Sequence, residues 1–87
     1  MSAIVNFQGT LLTINRITVS NQGYGHKLVS IELLHNGNTL ALGVITSNLP
    51  AIDAAEELDY EDSMIALYNI VAHCIIQDIE DWMIYNN

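Results

Sequence analysis

Asn36-Gly37, set between two apolar runs, narrows what this chain can fold into more than any other feature. Both residues tolerate the positive φ that a type I′ turn demands at its two central positions, and the pair is the strongest short hairpin signal. With these two as the loop, His35 pairs with Asn38, Leu33 with Leu40, Ile31 with Leu42 and Val29 with Val44. One face of that hairpin is then wholly aliphatic. The other carries Ser30, Glu32, Thr39, Ala41 and Gly43, with Leu34 beside them. A slip of one residue would move every side chain to the wrong face, so the pattern specifies the register.

The flanks extend this into a fold class. Upstream, Val5, Phe7, Leu11, Leu12, Ile14, Ile17 and Val19 alternate loosely with Thr and Asn, and Gly9 marks a break or bend. Residues 3–20 are expected either as a hairpin or as one long bent strand. Asn21 to Lys27 reads as the loop that closes this region. Downstream, residues 50–58 are rich in Ala and Glu and start with Pro50, which a first helical turn accepts. A longer helix is expected from Asp59 or Ser63 to Tyr85, with a polar stripe of Asn69, His73, Gln77, Glu80 and Asp81 at spacings of three or four. The expectation is a single α+β domain over residues 1–87: three to four antiparallel strands, then one or two C-terminal helices packed on the sheet.

A helix resting on a sheet buries a stripe somewhat over ~100° wide. The long helix offers about twice that, so something else must cover the remainder. Self-association is the first expectation, making the protein a homodimer with Leu67, Ile70 and Cys74 as candidate interface positions. Folding back of residues 50–58 is the second. A chain of 87 residues buries only ~60–65% of its unfolded surface, which leaves its stability marginal. With one cysteine, Cys74, it has no internal disulfide to compensate, and a lone thiol fits a reducing compartment, cytoplasmic and including the cytoplasm of a host cell. The start, MSAIVNFQG, lacks the features of a signal peptide. The longest apolar stretch, residues 64–76, contains Asn69 and His73 and falls short of the ~20 residues that span a bilayer. No membrane partner is expected.

Charge is distributed unevenly. Residues 1–50 hold Arg16, Lys27 and Glu32, while residues 51–87 hold nine carboxylates and no lysine or arginine, for a net charge of −8. Such a balance disfavours direct binding to nucleic acid or to anionic membranes and leaves a basic protein as the natural partner. The acids concentrate in EELDYED, residues 56–62. Some are explained by a helix start, since Asp59 can be an N-cap with Glu61 and Asp62 in the first turn, where the macrodipole favours anions by ~0.3–1 kcal/mol each. Asp53, Glu57 and Glu61 are harder to explain. In a continuous helix they would stack like charges at i, i+4 and i+8, with no lysine or arginine after Lys27 to offset them. Asp78, Glu80 and Asp81 repeat the habit near the C-terminal end. Solubility accounts for such a surface as readily as partner binding does. The candidate partner-binding residues are Asp53, Glu56, Glu57, Asp59, Glu61 and Asp62, with Tyr24 as a secondary contact.

Nothing in the sequence points to catalysis, a metal or a cofactor. DYEDSMIALYNI lacks the glycine turn and closing Glu of a calcium loop, and no Cys or His pair has zinc spacing. His73 and Cys74 are adjacent on a helix, about 100° apart around its axis, which places them outside the mutual reach a nucleophile and base require. Cys74 reads as a buried small hydrophobe. His26 and His35 fall in a loop and at a hairpin end. Gly23-Tyr24-Gly25-His26-Lys27 is not a phosphate-binding glycine motif. Trp82 reads as core, and Tyr85 as either core or surface.

In size and charge the chain resembles small phage or mobile-element proteins that block host nucleases, the anti-CRISPR and anti-restriction inhibitors. The likeness is compositional and carries no residue across. It implies a non-enzymatic inhibitor, a nucleic-acid mimic whose acidic surface occupies a basic nucleic-acid-binding surface. The alternative expectation is a structural or regulatory homodimeric accessory protein that uses its apolar helix face.

Overall fold

The computed structural model describes residues 2–85. Four antiparallel strands run in sequence order across one sheet: β1 (Ala3–Phe7), β2 (Thr10–Gly23), β3 (His26–His35) and β4 (Asn38–Thr46). Three helices follow, α1 (Leu49–Glu56), α2 (Tyr60–Val71) and α3 (Ile76–Tyr85), with a short 3-10 turn at Ala72–Cys74 between the last two. This is the expected α+β arrangement.

The β3–β4 hairpin has the register its sequence specified, including Val29 opposite Val44, Ile31 opposite Leu42 and Leu33 opposite Leu40. Residues 3–20 resolve into a hairpin, with β1 and β2 joined through Gln8 and Gly9, both at positive φ. The expected loop from Asn21 to Lys27 is instead strand on both sides of a tight turn at Tyr24-Gly25. The inner face of the sheet takes Val5, Leu12, Ile14, Val29, Ile31 and Leu33. Ile14 and Ile17 are three apart, so a regular strand would send them to opposite faces. A register shift between Ile14 and Arg16 inserts Asn15 as an extra residue and lets both contribute to the core. The Asn15 amide, turned outward, donates to the Glu32 carboxylate at 2.6 Å.

The single long helix expected up to Tyr85 is broken. Met64, Tyr68 and Val71 of α2, then Ile75, Ile79 and Trp82, are all buried. An unbroken helix from Tyr60 to Tyr85 would be roughly 39 Å long, as long as the whole molecule, whose largest extent is 38 Å. The chain tightens into the 3-10 turn instead and restarts at Ile76, with Ile75 leaving helical geometry at φ −120°. Trp82 is core, as its spacing indicated, and its ring meets His35 edge-on at 6.2 Å between centroids.

The wide apolar arc is covered from within. Ile52 and Ala55 of α1 pack with Val29, Leu67 and Val71 in a second buried cluster beside the main core. Folding back of the Pro50 segment, the second expectation, therefore supplies the cover, at about 1.5–3 kcal/mol for a fully buried Ile52. No helix among the described residues is long and apolar enough to cross a membrane.

Candidate protein-interaction surface

The helical layer gathers the acids. Asp53 and Glu56 lie on α1, Glu57 is its C-cap, Asp59 holds the N-cap position of α2, and Glu61 and Asp62 fall in the first turn of α2. All six side chains are exposed. The structure thus brings the predicted acidic residues together at the α1–α2 junction and along α1. The like-charge stack does not form as one helix, because the chain leaves helical geometry between Glu57 and Asp59.

Asp59 has the extended backbone of an N-cap (φ −58°, ψ 156°), and its carbonyl accepts the first helical bond from Ser63 N–H at 2.7 Å. Its carboxylate makes no capping hydrogen bond. Glu57, Glu61 and Asp62 likewise have no hydrogen-bond or ion-pair partner among the described residues.

Asp53 and Glu56 differ, and here the sequence reading needs correction. No lysine or arginine follows Lys27 in the chain, yet Lys27 itself comes to α1 through the sheet. Its position opposite Thr46 and Asn21 points it to the helical side, where Nζ lies 3.2 Å from Asp53 Oδ1 and 3.7 Å from Glu56 Oε1. Ion pairs this exposed contribute ~0–1 kcal/mol, so they orient α1 more than they stabilise it. Tyr24 lies at the tip of this same hairpin, beyond the end of β4, and is fully exposed.

The candidate dimer positions are dispersed. Leu67 is buried under α1 and offers no surface to a second copy, Ile70 is half-buried, and Cys74 is exposed rather than buried. Tyr85 is exposed. His73 and Cys74 are in contact, contrary to the argument from helix angle: Nε2 and Sγ are 3.3 Å apart. A 3-10 turn sets neighbours about 120° apart, so the contact comes from the two exposed side chains turning toward each other and not from the helix angle. Among the described residues no third group orients the pair. Among the described residues no group of three or more His, Cys, Asp or Glu is arranged to hold a metal ion, and no polar or charged side chain is buried. Burial raises the Tyr68 phenol above its ordinary value.

One surface escaped sequence reading. β4 forms an edge of the sheet, and beside it Leu40, Leu42, Trp82 and Tyr85 line a groove rimmed by Asp78 and Asp81. Only the placement of α3 reveals it. Comparison of the chain with protein-family models, with curated proteins and with solved structures finds no match.

Proposed function

We propose that this protein is a non-enzymatic interaction module whose acidic helical surface occupies a basic, nucleic-acid-binding surface of a partner protein, as phage or mobile-element inhibitors of host nucleases do. The observation that carries the reading is the state of Glu57, Asp59, Glu61 and Asp62. Among the described residues they are exposed, adjacent and unpaired, and the lysine near them, Lys27, is already held by Asp53 and Glu56. Asp59 in particular forgoes the cap bond that would have explained its presence. Carboxylates so arranged present a field complementary to a phosphate-binding surface, which speeds encounter and fixes orientation. The alternative, a homodimeric accessory protein joined through the apolar helical face, has less support, because the sheet and α1 already bury much of that face.

The test pairs capture with neutralisation. Immobilised protein is exposed to a nuclease-treated bacterial lysate and washed in rising salt, alongside the variant Glu57→Gln/Asp59→Asn/Glu61→Gln/Asp62→Asn. The expected result is a basic nucleic-acid-handling protein that is held at low salt, released as salt screens the contact, displaced by added DNA or RNA, and not held by the variant. Equal retention by the variant would refute the reading and leave solubility as the role of the acids.

A further inference from the structure

We propose that β4 is a docking edge for an extended segment of the partner, one that alternates basic with apolar residues and joins the sheet as a fifth strand. The partner's basic character is taken from the acidic-surface reading; the strand addition stands on the edge itself. The two sheet edges are unlike. β1 has five residues and is packed by α2, whereas β4 has nine and pairs with β3 without a register shift. An antiparallel ladder that begins with the His35–Asn38 pair at a two-residue turn leaves the N–H and C=O of Thr39, Ala41, Gly43 and Ile45 aimed away from β3. Proteins blunt such edges with lysine, proline, bulges or a covering element. NTLALGVIT has no charge, no proline and no bulge.

Charge complementarity selects the occupant. An added strand would send alternate side chains to the helical side, over Leu40 and Leu42 toward Asp78 and Asp81 on the groove rim. Lysine or arginine fits there, with its aliphatic stem on the leucines and its charge at the aspartates. The intervening side chains would lie on the outer face beside Ala41, Gly43 and Ile45, which suits apolar residues. A second copy would bring an uncharged strand and a net charge of −8 to the same rim. Addition of a strand to an exposed edge is an established mode of peptide recognition.

The test titrates isotope-labelled protein with an acetylated, amidated heptapeptide alternating Lys and Val, and with a block peptide of the same composition, followed by amide NMR. Binding of the alternating peptide is expected to shift and protect the outward amides of residues 39, 41, 43 and 45, with the block peptide at least tenfold weaker. Ala41→Pro, which removes an N–H that does not serve β3, should abolish binding. Asp78→Asn/Asp81→Asn should weaken it about fivefold to tenfold, the scale of two exposed ion pairs. The quadruple variant at the α1–α2 junction should still bind the peptide at β4, so the acidic-surface reading can fail without this one. Equal binding of both peptides, shifts confined to the α1–α2 junction, or concentration-dependent protection of β4 without peptide, the sign of a second copy, would overturn the proposal.

Discussion

The turns at Asn36-Gly37 and Tyr24-Gly25 have nearly the same backbone, with φ of 51° and 79° in the first and 53° and 76° in the second. Asn enters the left-handed region readily because its short amide can bond locally, whereas other non-glycine residues cost about 1–2 kcal/mol there. Among the described residues nothing covers Tyr24 to offset this cost; it is fully exposed at the tip. The turns also end opposite halves of the molecule. Asn36-Gly37 closes strands that run directly onto Leu33 and Trp82 of the core, while Tyr24-Gly25 closes a hairpin whose last residues project past β4. The same geometry is therefore explained by folding at one end. At the other, the identity of the side chain is left to whatever the tip touches.

The two turns are expected to differ most at their glycines. An added Cβ meets nothing within 4 Å at either Gly37 or Gly25, so Ala there carries only backbone strain, about 1–2 kcal/mol. Gly37→Ala should lose that full amount in urea denaturation, and Gly25→Ala less than half of it, because a frayed tip can absorb the strain. Equal losses would mean that the projecting hairpin unfolds with the core.

A smaller effect of opposite sign is expected at Tyr24. Tyr24→Asn should raise stability by no more than about 0.5 kcal/mol, since Asn accepts a conformation whose strain the frayed tip already absorbs in part, while weakening capture of the partner. If capture is unchanged, Tyr24 is only a turn residue.

The smallest effect concerns Tyr68 in the packed half. Its phenol titrates higher in the folded state than in the unfolded chain. Stability tied to its neutral form is thus complete below the unfolded value near 10 and is lost as pH rises through the folded value. Tyr68→Phe should leave the urea midpoint nearly unchanged at pH 7 and shallow its fall above pH ~10. A fall of the same steepness in the variant would assign alkaline unfolding to other groups.

These turns also show what could be read in advance. The β3–β4 register followed from Asn36-Gly37 because residue type and backbone demand agree there. The other two hairpins were obscured because Gln8 and Tyr24 occupy left-handed positions that their side chains do not advertise. The break after Val71 left no local mark either. No glycine or proline stands between Glu57 and Tyr85, and the apolar spacing would suit a straight helix. The break belongs to the packing of the whole fold, where Ile75 leaves helical geometry at φ −120° and is buried. In the acidic surface the residues were legible and their pairing was not, since Lys27 meets Asp53 and Glu56 only across 26 and 29 residues of chain.

The scarcity of cations has a practical consequence for proteolysis. Trypsin has two cleavage sites among residues 1–87, Arg16 and Lys27, and both lie in the two central strands of the sheet. A strand must leave its ladder before a protease can accept it, so the cutting rate reports opening of these strands, by fraying from the tip near Lys27 or by unfolding of the whole sheet. The helical half, with no site of its own, would survive as the single fragment 28–87. Tryptic half-life is therefore a clock for opening of the two central strands, and binding at the Tyr24 tip or along β4 would slow it.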